Sequence, residues 1–392
     1  MQDVVIVSTA RTPIGDYLGA LKSVSAIELG VAALRAALVK VSMDASQIEE
    51  VVAGNVFQAG LKGNPARQVA LKVGCPLETV GVTVNQLCPS SMRGMEILAQ
   101  EIALGKVEIG AAVGMESMSN IPFLLPKARS GYRMGNGEVV DAMLHDALND
   151  AFYDYHMGMT AENLAEMYNI TREEQDELAY LSHQRALKAI EEGKFTDEIV
   201  PIEIRTKKGL EEIKTDEHPN TSTRPESLAK LKPAFKKDGT VTAGNASGLN
   251  DGGAALILMS AAKAEELGLK PLAKILSTAS AAVDPKIMGI GVVPAVKRAL
   301  KFANLELDDI EYWELNEAFA SQFLAVNREL KLSMDKVNAN GSGISLGHPV
   351  GATGVRLIVT LLNEMRRRKV RYGCASLCAG GGPAVATIVE LL

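Results

Sequence analysis

Apolar positions over residues 1–120 switch repeatedly between an alternating period and a helical one. Val4-Val5-Ile6-Val7 predicts a strand. Ser25 and Glu28 form a capping-box pair, and Ile27, Val31, Leu34 and Leu38 follow on one helical face. Glu50 to Gly54 predicts a second strand. Asn64-Pro65 opens a helix as an N-cap before a first-turn proline, and Gly74 closes it. Gly81-Val-Thr-Val84 predicts a short buried strand. Met92, Met95, Leu98 and Ile102 predict the helix after it, stopped by Gly105. Ile109 to Val113 predicts another buried strand, ending at Gly114-Met115-Glu116. Strands alternating with helices predict a mainly parallel sheet covered on both faces.

Residues 120–250 break this rhythm. Gly131 to Gly137 and Phe152 to Met159 are loop-like and rich in aromatic residues or methionine. Thr171 and Glu174 predict a second capping box, for a helix that Gly193 ends. Residues 205–240 are polar, and the expectation is an inserted arm or lid over a site. Lys207-Lys208 and Lys236-Lys237 read as solvated charges, with ligand phosphates as the alternative. From Ala254 the alternation resumes and repeats the first half at an offset of about 260 residues. Ile48 matches Ile310, Val84-Asn85 matches Val337-Asn338, and Val113-Gly114-Met115 matches Leu377-Cys378-Ala379. Ligands in α/β sheets bind beyond the carboxyl ends of strands. The duplication therefore predicts that Cys88 and His348, which open matching helices, meet.

Composition narrows the function classes. The 392 residues are 47% hydrophobic and 22% charged, ordinary for a globular chain of two or three domains. A net charge of −6 argues against a general nucleic-acid surface. No signal peptide is expected ahead of the first strand, and no apolar run approaches the length of a membrane span. Four scattered cysteines form neither a disulfide framework nor a CxxC zinc pair, so a reducing cytoplasm is the expected location.

Cys88 lies at a strand-to-helix turn, with Pro89 expected at the first helical position and the helix dipole favouring thiolate. A buried, space-filling cysteine is the alternative. His348 follows a glycine-rich run, Gly341 to Gly347, and reads either as a structural imidazole or as a base for the Cys88 thiol. Cys378 precedes Ala379-Gly380-Gly381-Gly382, a loop able to point N–H groups at an anion. Asn316 reads as a helix N-cap or as an amide that holds water against a carbonyl oxygen. Two thiols, an imidazole, an amide and glycine loops suit acyl transfer through a cysteine thioester. No paired-carboxylate site, metal cluster, P-loop or dinucleotide fingerprint is present in the sequence.

The sequence resembles the thiolase family, in its short-chain biosynthetic acetyl-CoA acetyltransferase branch. NEAFA at 316–320, GHPVGATG at 347–354 and CAGGGP at 378–383 carry the likeness, which runs the full length. The resemblance implies an α/β fold of two duplicated βαβαβαββ halves in a five-layered α-β-α-β-α arrangement, with an inserted loop domain. It implies an N-terminal half at 1–120, completed by about 245–270, a loop domain for oligomerisation and coenzyme A at 121–245, and a C-terminal half at 271–392. Cys88 would accept the acyl group and His348 would activate it. Cys378 would take the α-proton of the second acetyl-CoA. Asn316, through a water, and His348 would hold the enolate. The N–H groups of Cys88 and Gly380 would form the second oxyanion hole.

Carried over for coenzyme A are Leu148, His156 and Met157, then Ala234 and Phe235, then Ala243 and Ser247. Ala318 and Phe319 would touch the pantetheine and Met288 the acyl end. Acetyl-CoA and acetoacetyl-CoA would be substrates, with no resident cofactor or metal, no nucleic acid and no membrane. The stretch 121–142 resembles the family's tetramer-forming loop, implying a homotetramer. Two positions depart from the family. Pro89-Ser90-Ser91 replaces a small residue followed by Ser-Gly, and Asn220 stands where an arginine is usual, with Arg224 as its expected substitute. The alternatives are a thiolase for longer or branched 3-ketoacyl chains and a non-catalytic thioester-binding subunit.

Overall fold

The computed structural model describes residues 2–207 and 209–392, so Lys208 lies outside it. The first half runs β1 (Val4–Arg11), α1 (Ala26–Lys40), β2 (Glu50–Gly54), α2 (Pro65–Val73), β3 (Val80–Val84), α3 (Ser90–Ala103) and β4 (Ile109–Ser117). After a long excursion containing α4 (Gly158–Met167) and α5 (Arg172–Glu191), β5 (Asn250–Ser260) completes it. The second half runs β6 (Ala273–Ala282), α6 (Val292–Ala303), β7 (Tyr312–Leu315), α7 (Ala320–Leu330), α8 (Val350–Arg368), β8 (Tyr372–Cys378) and β9 (Pro383–Leu391). Val337 pairs with Trp313 as a single parallel bridge, where the first half has β3 beside β2. The duplication thus holds element by element, with one strand reduced to a bridge.

Local chemistry sets the helix ends. Ser25 Oγ accepts from the Glu28 N–H while Glu28 accepts from the Ser25 N–H at 2.8 Å, and Thr171 with Glu174 repeats the device. Asn64 caps α2 and Gly74, at φ 108°, ends it.

The strands join in the order β7-β8-β9-β6-β1-β5-β4-β2-β3. The halves touch edge to edge at two residue pairs, Val5 with Lys274 and Ile6 with Ala273. Contrary to the mainly parallel expectation, only β2/β3, β2/β4 and β7/β8 are parallel among the pairs of this order. The closing strand of each half returns antiparallel, β5 between β1 and β4 and β9 between β6 and β8. Nor is β3 the buried strand expected. It ends the sheet, and Val80 is 55% exposed.

Three apolar clusters define the layers. One joins α1 and α2 to the outer face of the first half-sheet through Leu34, Val69 and Val113. Another joins α6 and α7 to the outer face of the second through Val296, Phe323 and Trp313. Between them, α3 and α8 share a single cluster with the inner faces of both halves, through Met95, Ile358, Leu256 and Leu377. The result is the five-layered α-β-α-β-α order.

The two central helices pack closer than side chains normally permit. A Cβ on Gly354 of α8 would meet the Met92 nitrogen of α3 at 2.6 Å, and one on Gly114 of β4 would meet the Ala352 Cα at 2.8 Å. Ser91 Oγ accepts from the Val355 N–H at 3.0 Å, tying α3 to α8. One departure from the family pattern is thus a cross-half hydrogen bond. We expect Gly354→Ala to cost about 1–3 kcal/mol through overpacking, read as a lowered thermal midpoint. An unchanged midpoint would mean that the helices are free to separate.

Candidate active site

Strain and clamping present Cys88. Leu87 holds a left-handed φ of 55°, unusual for a branched residue. Its N–H donates to Asn85 Oδ1 at 2.9 Å. Ser90 Oγ donates to the Leu87 carbonyl at 2.5 Å and accepts from the Gln86 N–H at 2.9 Å. Pro89 is the N-cap of α3 rather than its first helical residue, so Cys88 stands one residue ahead of the cap.

Cys88 is half-buried. Burial pushes its thiol up to about 12, the N–H groups of Cys88 and Gly380 pull it down, and the charge of Glu116 raises it further. The expected dipole-stabilised thiolate is therefore not the resting form. These two N–H groups come from opposite halves of the chain, and both act on the Cys88 sulfur. Cys378 is buried, and its thiol is raised by burial and by the neighbouring Cys88. The loop after it is pinned by the Ala379 N–H on the Pro383 carbonyl at 2.7 Å. A Cβ on Gly380 would fall 2.3 Å from the movable Met157 Cε and 2.9 Å from Leu87 Cδ1.

His348 is set by its backbone and its far nitrogen. Its N–H donates to Asn250 Oδ1 at 2.9 Å. Thr353 Oγ1 lies 2.6 Å from His348 Nδ1 and 3.0 Å from the Pro349 carbonyl. The carbonyl can only accept, so the hydroxyl donates to it and accepts from Nδ1–H. Nε2 is then left unprotonated, the tautomer of a base. Asn316 Nδ2 is 3.4 Å from that Nε2. Asn316 is not an N-cap, because α7 is capped by Phe319, and its buried Oδ1 has no partner among the described residues. Burial, and then the charge of Arg356, push His348 down to about 3.

Cys88, His348 and Gly380 line a cavity of about 380 Å³. Every one of the ten positions carried over for coenzyme A lines it as well. His156 stacks on Phe235 at 4.5 Å, and Phe319 meets Phe235 edge-on at 6.1 Å. Cys378 and Asn316 lie behind this wall, reaching it through Cys88 and His348. A neighbouring space of about 580 Å³ shares the Ala243 and Ala246 walls and contains Asn220. Asn220 Oδ1 is occupied by Ser222, and Arg224 Nη1 donates to the Thr221 and Thr223 carbonyls at 2.9 and 2.7 Å. Arg224 is thus folded onto its own loop.

The polar insert divides in two. Ile202–Thr206 and Gly209–Ile213 form a hairpin packed toward α1, while Ala234 to Ser247 borders the cavity. Lys236 pairs with Glu166 at 3.2 Å.

Sequence reasoning missed Glu116, Asn250 and Thr353. Glu116, wholly buried at the end of β4, accepts from the Val56 and Gly351 N–H groups at 2.9 and 3.0 Å and from Asn55 Nδ2 at 2.7 Å. It brackets the cavity wall of one half to the first turn of α8. A carboxylate closing an apolar strand was the available signal. Among the described residues, no group of three or more His, Cys, Asp or Glu is gathered to hold a metal ion, and no helix is long and apolar enough to cross a membrane.

Two family models match the chain, the thiolase N-terminal domain over residues 4–262 and the thiolase C-terminal domain over 269–391. An acetyl-CoA acetyltransferase of Pseudomonas aeruginosa is 54% identical, with 98% of each chain covered. One from Escherichia coli is 50% identical over the whole of both chains. The solved acetyl-CoA acetyltransferase of Syntrophomonas wolfei superposes with a TM-score of 0.98 at 51% identity, covering 100% of both chains. Human mitochondrial 3-ketoacyl-CoA thiolase superposes at 0.97 with 42% identity, covering 100% of this chain and 99% of that one.

Thr353→Val keeps the shape but removes the acceptor for Nδ1–H. We expect kcat to fall about 10- to 100-fold, with Thr353→Ser restoring most of it and KM little changed. Equal activity in the valine variant would show that the tautomer is set elsewhere.

Proposed function

Because the chain belongs to the thiolase family, we propose that its cavity carries out the reversible Claisen condensation of two acetyl-CoA to acetoacetyl-CoA and coenzyme A, through an acetyl group on Cys88. The carrying observation is that Cys88, from the first half, and His348 and Gly380, from the second, line one cavity. The names of relatives that share half or more of its residues over almost the whole chain support acetyl transfer. A longer-chain thiolase is not favoured by them. A non-catalytic subunit is not favoured by a chain that retains Cys88, Asn316, His348 and Cys378.

Cys88 Sγ attacks the thioester carbonyl as its proton passes to His348 Nε2. The oxyanion accepts from the Cys88 and Gly380 N–H groups, one such donor typically being worth about 3 kcal/mol of barrier. Coenzyme A leaves with the proton from His348. Cys378 passes its proton to His348 Nε2, and its thiolate, made more basic by burial beside Cys88, takes the α-proton of the second acetyl-CoA. His348 and a water on Asn316 hold the enolate oxygen. The α-carbon attacks the acetyl group, and the Cys88 sulfur departs and is reprotonated by His348 Nε2.

His156, Phe235 and Phe319 form an aromatic wall for the pantetheine, with Leu148, Met157, Ala234, Ala243, Ser247 and Ala318 around it and Met288 at the acyl end. Coenzyme A thioesters act as substrates rather than as resident cofactors. The segment 121–245 serves as the loop domain, and two working thiols suit a reducing cytoplasm. The assembly is a homotetramer. The Phe123–Leu124 and Val140–Asp141 hairpin supports this, with Phe123 63% and Met134 96% exposed, as does the open edge of β3.

Acetyl-CoA should add one acetyl mass to the peptide containing Cys88, and Cys88→Ser should lower thiolysis of acetoacetyl-CoA by roughly 1000-fold or more. An unmodified Cys88 peptide with turnover intact would sink the covalent route. Light scattering should report about four times the 41.7 kDa chain. A mass of one or two chains would remove the tetramer.

A further inference from the structure

A buried guanidinium lies below the site without a close partner. Arg356 is 1% exposed, and among the described residues none of its three nitrogens has a hydrogen-bond acceptor. The carboxylate it faces, Glu314 of β7, stands 4.0 Å from Nη1, and Glu314 Oε2 has no hydrogen-bond partner either. Arginines buried for structural ends normally form a short, forked pair. Arg11 does so here, donating to both oxygens of Asp216 at 2.7 and 2.9 Å. Arg356 does not.

Its place in α8 gives this meaning. Arg356 lies about two turns after His348, and long side chains on a helix lean toward the N-terminus. The guanidinium is thereby carried back toward the imidazole. A cation in a contact pair presents little net field, whereas one held off its counter-ion projects it through a low-dielectric core. We infer that Arg356 is a positioning residue for the reaction, a buried cation that biases the His348 imidazole toward giving up its proton. This rests on the reading of His348 as the base. Such a bias keeps Nε2 free to receive the Cys88 proton and then drives that proton on to the departing coenzyme A.

The surrounding charges agree with this sense. Arg356 is the one charge that acts appreciably on His348, after burial. Cys88 and Asn316 face the imidazole from the other elements, and Glu116 reaches the first turn of α8 at the Gly351 N–H. Facing Arg356 are Glu314 from β7, Arg11 from β1, and Glu198 and Asp216 from the chain after α5. Asp216 and Glu198 Oε2 pair with Arg11, while Glu198 Oε1 has no hydrogen-bond partner among the described residues. Burial holds Glu314 up to about 8 although the charge of Arg356 pulls it down.

The test is a histidine titration. The protein has five histidines, so 15N-histidine labelling with His348→Asn for assignment isolates the ring. His348 should stay uncharged to well below pH 6 in the parent. Arg356→Met should raise its midpoint by about one unit and move the acid limb of kcat/KM for thiolysis upward with it. Arg356→Lys should keep both near the parent. An unmoved midpoint in Arg356→Met, or equal shifts in the lysine and methionine variants, would overturn the inference. If Arg356→Met does not fold, Arg356→Gln takes its place. If neither folds, a parent midpoint at or above the ordinary 6.5 overturns it. Full activity in His348→Asn would instead refute the base reading, leaving the ring titration to judge Arg356 alone.

Discussion

Close approach of α3 and α8 is the constraint on which the rest of the structure depends. Each helix begins beside a chemical group, Cys88 ahead of α3 and His348 ahead of α8. The contact runs over Gly354, Gly114 and the Ser91 hydroxyl, positions where extra atoms would force the helices apart. Sandwiching both between two half-sheets fixes their height as well as their spacing. Groups about 260 residues apart in the chain are thereby held by the layer that both half-sheets enclose. Glu116 adds a polar bracket at the same level, from the last residues of β4 to the first turn of α8.

The site's electrostatics follow from that burial. Both thiols are raised and the imidazole is lowered, so all three rest uncharged. Charge appears only as bonds are made, and it appears where donors already point. The N–H groups of Cys88 and Gly380 come from different halves, and both lower the Cys88 thiol against the effect of burial. The Thr353 hydroxyl keeps the proton on His348 Nδ1 and so leaves the lone pair on Nε2, which the Asn316 amide approaches as a donor at 3.4 Å.

Much of this was legible in the chain because it is written in local signals. Both capping boxes, the Asn64 cap and the Gly74 stop involve residues within one turn of each other. The repeat is legible through shared strand ends such as Glu50 and Tyr312. Strand direction was not, because β5 and β9 reverse it through long-range pairing that periodicity does not encode. The β3 strand looks like a core strand, since Val82 and Val84 alternate as buried residues do, yet it ends the sheet. Cys88, His348, Asn316, Cys378 and Gly380 stand out as unusual residues at strand-to-helix turns or in glycine loops. Glu116, Thr353, Asn250 and Arg356 do not. Each takes its meaning from a partner in another element or from the lack of one.

The closeness of the Cys88 thiol in the cavity to the Cys378 thiol behind its wall is most directly tested with 1,3-dibromoacetone, whose two reactive carbons flank a single carbonyl. Peptide mapping of the treated protein should find Cys88 and Cys378 joined to each other within one chain, with Cys75 and Cys374 unmodified in the core. Separate adducts on Cys88 and Cys378, with no joined peptide, would contradict the account.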